Sequence, residues 1–166
     1  MFSFYKRHNN GLYNKLVELS RNIYFYKKIK LKDDFETRIF LIFMHFSIIL
    51  LNYKKLKKDK FPQDIFDNIF LNIEYHVREL GYGDIAVNKK MKTLNKIFYN
   101  ILLKLNVENA KDFKVNKNIL KEYFSSNNDI NIEYMDKLAI YLESFNDFCF
   151  ELDHNSMLKG QINFTY

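Results

Sequence analysis

Tryptophan is absent from this chain of 166 residues, and glycine (4), proline (1) and cysteine (1) are nearly so. Each shortage excludes something. A many-stranded sandwich or barrel needs a turn every ten or so residues, and one proline with four glycines cannot supply them, so an all-β fold is ruled out. Cys149 on its own can form neither an internal disulfide nor a thiolate cluster for zinc or iron-sulfur, and nothing points to an oxidising compartment. Long apolar runs are missing too. Ile39 to Leu51 is uncharged but interrupted by His45, falls short of the roughly 20 residues that cross a bilayer, and reads as a helix buried in a soluble core. The first ten residues contain no apolar segment with a cleavage site and no Arg-rich transit pattern, which predicts a cytoplasmic protein.

What is present suits one packed domain over residues 1–166, with 1–10 expected to be flexible. Hydrophobic residues make up 48%, aromatics 17% and charges 28%, and a chain of this length buries roughly two-thirds of its unfolded surface. The net charge is +6, from 26 basic and 20 acidic residues. Abundant Lys, Asn, Ile, Phe and Tyr with scarce Arg mark an AT-rich genome, so codon usage accounts for part of that surplus. Its distribution is more telling: residues 1–121 carry +12 and residues 122–166 carry −6. Such asymmetry either orients a protein against charged partners or is a set of solvated faces.

Helical periodicity runs through almost the whole chain. Leu12, Leu16, Leu19 and Ile23 mark a first amphipathic helix from Leu12 to about Tyr26. Asp33-Asp34-Phe35-Glu36 reads as a capping box that opens a long second helix, apolar on nearly every face through Leu51. Its polar stripe is Asp34, Arg38, His45 and Asn52, which either awaits a partner or holds a buried His bonded to a neighbouring helix. After a Lys-rich connector over 54–60, Pro62 opens a third helix to Leu80. Its apolar arc is Ile65, Phe66, Ile69, Phe70, Ile73, Val77 and Leu80. Gly81 ends that helix, Gly83 relaxes the turn and Asp84 is placed to cap a fourth helix, which Asn106 closes after Leu105. A shorter helix over 116–124 and a last long helix over 131–152 flank a loop at 125–129, and 161–166 looks extended. The result is an all-α bundle of about six helices with a short extended C-terminal tail.

Sites for bound chemistry are hard to find. The histidines at 8, 45, 76 and 154 have no metal-ligand spacing, and there is no phosphate-binding loop, no dinucleotide fingerprint and no nucleophile elbow. No cofactor and no small-molecule substrate are expected. Cys149, among Phe145, Phe148 and Phe150, reads as a small buried hydrophobe. Two competing functions keep a foothold. Asp64, Asp67, Glu74, Glu79 and Asp84 are close enough for a helical enzyme using a carboxylate pair. Lys89, Lys90, Lys92 and Lys96, interleaved with aromatics, would suit an RNA- or ribosome-binding module.

The run FDNIF at 66–70, followed after seven residues by RELGYGD at 78–84 and then Val87 through Phe98 and Tyr99, resembles the ubiquinol-cytochrome c chaperone family. Further matches are Leu12-Tyr13, Ser20-Arg21 and Phe25-Tyr26 on the first helix, Arg38 and His45 on the second, and GQINF at 160–164. Asn100 replaces the family's glycine, and Asn72 stands where an acid is common. The resemblance implies an all-helical, non-enzymatic bacterial-type chaperone. Its client would be newly synthesised, immature cytochrome b on the way to ubiquinol-cytochrome c reductase, respiratory complex III. The work would be done in the cytoplasm or peripherally at the inner face of the inner membrane, with the ribosome, an anionic membrane surface and a small helper protein as further partners. Phe66, Asp67, Phe70, Arg78, Glu79, Tyr82 and Asp84 are the partner-binding residues it suggests. Twenty-nine aromatic side chains can supply an apolar holding surface. The acidic C-terminal part, with Glu143, Asp147 and Glu151, is suited to the basic cytoplasmic loops of such a client.

Overall fold

Asparagine and aspartate side chains set most of the helix starts, because each can accept a hydrogen bond from an amide that the first turn leaves without a partner. Asn22 accepts from Tyr24 N (3.0 Å), Asp34 from Thr37 N (2.9 Å), Asn116 from Asn118 N (3.1 Å), Asn131 from Glu133 N (3.0 Å) and Asp153 from Ser156 N (2.9 Å). The structure, a computed structural model, describes residues 10–56, 60–125 and 131–166. Residues 1–9 of the N-terminal segment, 57–59 of the Lys-rich connector and 126–129 of the expected loop lie outside the described residues. The described residues form α1 (Gly11–Ser20), α2 (Ile23–Lys27), α3 (Phe35–Leu56), α4 (Gln63–Glu79), α5 (Asp84–Lys104), α6 (Lys117–Phe124), α7 (Ile132–Glu151) and α8 (His154–Lys159). Among them no strand occurs, only an isolated antiparallel bridge between Asn106 and Val115.

Several elements depart from their sequence patterns. The helix expected over 12–26 is two, because Asn22 leaves helical geometry (φ −56°, ψ 124°) to cap α2. The Tyr26 hydroxyl then donates to the Ser20 carbonyl (2.6 Å), which would otherwise be left over at the end of α1. The expected capping box is half formed. Asp34 is the cap, but the third helical position is Thr37, so Glu36 cannot reach back and instead faces Lys90 (3.7 Å). Helix α3 continues through Leu56 into the expected connector. Gly83, not Asp84, precedes α5 as its cap, and Asp84 is its first residue. Asn106 does not close α5: its side chain accepts from Lys114 N (2.9 Å) and starts the bridge to Val115. Helix α8 was not expected, although Asp153 before it and Gly160 after it, at φ +72°, are ordinary start and stop residues.

Helix α3 is the spine, with residues 41–49 buried without interruption. By length and apolar composition alone Phe35–Lys55 could cross a membrane, but most of its apolar window is covered by the rest of the bundle. Contacts along it give the neighbours' directions. Phe66 meets Phe46 and Phe70 meets Phe43, so α4 runs antiparallel. Phe98 meets both rings while Lys90 meets Glu36, so α5 runs parallel. On the other side His45 meets Tyr141 and Asn52 meets Asn146, so α7 is parallel as well. Phe98 is fully buried among Phe43, Phe46, Phe66 and Phe70, and burial of a ring of this kind stabilises the fold by about 1.5–3 kcal/mol.

The polar stripe of α3 is thereby resolved. His45 and Asn52 are buried against α7, whereas Arg38 stays half-buried and pairs with Asp33 (2.6 Å). His45 Nδ1–H donates to the Leu41 carbonyl (2.6 Å), which leaves Nε2 to accept from the Tyr141 hydroxyl (2.9 Å). Beyond α7, the tail from Gln161 to Tyr166 forms neither helix nor strand. It buries Ile162 and lays Phe164 against Tyr141, Phe145 and Phe148.

Candidate functional site: the α4–α5 hairpin

The segment RELGYGD forms the turn between two antiparallel helices, and its residues divide between holding that turn and facing solvent. Gly81 adopts φ +93°, a conformation that a residue with a Cβ enters at a cost, and this stops α4. Arg78 reaches Glu74 one turn back (3.1 Å) and Asp84 at the start of α5, so one guanidinium clamps both sides of the turn. Those two carboxylates hold the Arg78 pKa above its ordinary value, Asp84 most strongly. Asp84 also places negative charge in the first turn of α5, where it complements the helix dipole. Arg78, proposed from sequence as a partner contact, therefore fastens the hairpin. Glu79 beside it is exposed. Burial first, and then the Glu79 charge, raises the Tyr13 phenol above its usual range.

Three apolar side chains crown this clamp. Leu80 is 49% exposed, Tyr82 45% and Ile85 87%. Lys90 lies 5.3 Å from the Tyr82 ring centroid and 5.8 Å from that of Phe35, and its ion pair with Glu36 anchors the hairpin to the start of α3. Tyr82, suggested as a partner contact, is among the exposed residues. Leu80 was placed in the apolar arc of the third helix, and Ile85 was not singled out as a contact. Leu80 caps α4 with its backbone still helical (φ −71°, ψ −4°) and is exposed at the end of the apolar arc. Ile85 sits on α5 about 160° from Val87, the first buried residue, an angle that the 100° step per residue makes available from sequence.

Phe66 and Phe70, suggested as partner-binding residues, belong largely to the core. Their rings stack on one another (5.1 Å) and pack on Phe98, so both are half-buried in the core and a charge at either would disrupt the bundle. Asp67 is exposed and accepts from Gln63 Nε2 (2.7 Å). With Asp64 and Glu74 it lines an open groove of about 550 Å³ between α4 and α5, floored by Phe70 and Met91 and bounded by Asn95. Of the carboxylates weighed for an acid–base pair, Asp64, Asp67 and Glu74 line this one groove. Glu74 and Asp84 are tied to Arg78, and Asp64 and Asp67 stand along the groove in the open. No three His, Cys, Asp or Glu side chains among the described residues gather as a metal site.

The single thiol lies in the core. Cys149 is buried and its thiol is pushed far above the ordinary range by that burial. Glu143, suggested for a client's basic loops, is occupied: it accepts from Val115 N (3.1 Å) and faces Lys114 (3.7 Å), closing the return segment before α6. Asp147 and Glu151 of the same helix remain exposed.

The chain matches the family model of the ubiquinol-cytochrome c chaperones over residues 27–164, which includes the hairpin and its turn. The residue pairs of α1 and α2 that carried part of the sequence resemblance precede that match. A crystal structure of the Cbp3 homolog from Brucella abortus has a similar fold, with a TM-score of 0.71 and 21% identity over 95% of this chain and 88% of that one. No curated protein matches the sequence. With the family match spanning every helix from α3 to α8, the chain belongs to the ubiquinol-cytochrome c chaperone family.

Proposed function

We propose that this protein holds newly synthesised cytochrome b during assembly of ubiquinol-cytochrome c reductase, and that it does so by binding, without catalysis. Family membership supports the role, and the exposure of Leu80, Tyr82 and Ile85 on a clamped turn is the observation that favours this site for it. Exposed apolar side chains carry a cost in water that an apolar client relieves, and immature cytochrome b exposes such surface before haem and partner subunits cover it. The clamp matters because a pre-organised crown loses less conformational entropy on binding than a mobile loop. The neighbouring groove, with Asp64, Asp67 and Glu74 over Phe70 and Met91, suits a segment that pairs apolar residues with Lys or Arg, as cytoplasmic loops beside membrane spans do.

The test is capture of cytochrome b from a strain that synthesises it, using this protein as bait. Replacing Leu80, Tyr82 and Ile85 together by Asp is expected to reduce capture at least about thirtyfold, the loss that goes with removing a strong contact cluster. Helicity should stay unchanged, since all three side chains are exposed. Equal capture by both proteins would remove the crown from the mechanism.

A further inference from the structure

Helix α5 carries an uninterrupted solvent-facing stripe that shares only Ile85 with the crown. Ile85, Lys89, Lys92, Lys96, Tyr99 and Leu103 fall within about 40° of one line along the helix. All six are exposed, and they lie opposite the buried Val87, Leu94, Phe98 and Ile101. The stripe is about 27 Å long at the rise of an α-helix. After Asp84 the helix contains no acidic residue. Among the described residues no ion pair engages Lys89, Lys92 or Lys96. Ile85 at one end is 87% exposed and Leu103 at the other 80%, with Tyr99 at 50% beside it.

We infer that this outer face of α5 docks the protein flat on an anionic lipid bilayer. Three free ammonium groups flanked by exposed Ile, Tyr and Leu match the two layers of a bilayer surface, with anionic headgroups for the lysines and the acyl boundary for the apolar ends. The Leu103 end runs into an apolar groove of about 490 Å³, walled by Leu50, Phe61, Phe66 and Leu102, with Lys54 and Lys60 at its rim. Basic and apolar chemistry therefore continue together past the end of the stripe. An RNA backbone would use the lysines but offers no apolar phase to Ile85 and Leu103, and so accounts for only half of the pattern. The acidic wall of α4 flanks one side of the stripe, and its repulsion from anionic lipid sets the roll of the molecule, with the α4 side tilted away.

Flotation of the purified protein with vesicles tests this, and because no client is present its outcome is separate from that of cytochrome b capture. The protein is expected to float with vesicles of equal parts phosphatidylcholine and phosphatidylglycerol at low salt, and to stay at the bottom with phosphatidylcholine alone. K89Q/K92Q/K96Q should lower the partition coefficient about a hundredfold. I85S/L103S should lower it at least about tenfold while the salt dependence stays. Unchanged helicity by circular dichroism separates either loss from unfolding. Failure of the wild-type protein to float with the anionic vesicles would overturn the inference. So would an I85S/L103S variant that floats as well as wild type, or displacement of the vesicles by mixed-sequence single-stranded RNA at lower phosphate concentration.

Discussion

Gly160→Ala is expected to lower the thermal midpoint by roughly 10 °C. Gly160 closes α8 with φ +72°, and a Cβ there would stand 2.6 Å from the carbonyl carbon of Gly11 and 2.9 Å from Cα of Leu12. Both contacts are backbone, so no side chain can move aside. Entering the left-handed region costs a residue with a Cβ about 1–2 kcal/mol, and forcing two backbones apart adds about 1–3 kcal/mol. A total of about 3 kcal/mol corresponds to the stated shift for a domain of this size. Gly81 supplies the comparison: it too has positive φ, +93°, but a Cβ there meets nothing within 4 Å. Gly81→Ala should therefore show only the conformational part, about half the effect. Thermal melts followed by circular dichroism of the two variants check both values, and equal shifts would mean that the α8–α1 contact is not tight.

Acid should unfold the protein in two separable stages, and the first belongs to His45. Burial lowers its pKa from 6.5 to about 4, partly opposed by the hydrogen bond to the Leu41 carbonyl. Its ring is enclosed by Phe25, Tyr141 and Phe145, and burial holds the Tyr141 phenol well above its ordinary range, so no anion is at hand to balance an imidazolium. The unfolded chain takes up the proton at the higher pH, near 6.5. Stability is therefore complete above that value and falls as the pH drops toward 4, by about 3 kcal/mol at pH 4. Asp34 acts lower. Burial raises its pKa, but the Thr37 hydrogen bonds and Lys32 outweigh this and leave it below 3.8, so its contribution is lost only under stronger acid. Urea midpoints measured at pH 7 and at pH 4.5 check the first stage. A His45→Gln variant should be less stable at pH 7 yet nearly flat between the two, and an equally steep loss in that variant would assign the acid sensitivity elsewhere.

Long helices were the most legible part of the fold, because α3, α4, α5 and α7 repeat their apolar positions over enough turns to outweigh any one residue. Breaks inside an apolar pattern were harder. Asn22 interrupts α1 and α2 without disturbing the Leu16, Leu19, Ile23 periodicity, since an Asn cap and an exposed helical Asn look alike until the Tyr26 hydroxyl is seen on the Ser20 carbonyl. Side-chain roles followed the same division. Asp84 was read as the cap of α5, but ownership of its carboxylate by Arg78 depends on the path of the turn and is invisible in spacing. Phe66 and Phe70 stood in an apolar arc and a family motif at once, and burial assigns them chiefly to the arc. Leu80 and Ile85 illustrate the converse: hydrophobic residues at plausible core positions that stand exposed at the two ends of the hairpin turn.

Assembly of the reductase in cells gives the most direct test of the central claim. Native gels of membranes from a strain lacking this gene, probed for cytochrome b and for the whole complex, are expected to show both strongly reduced. The wild-type gene should restore them, and the variant with Leu80, Tyr82 and Ile85 replaced by Asp should not. Undiminished complex in the deletion strain would contradict the account.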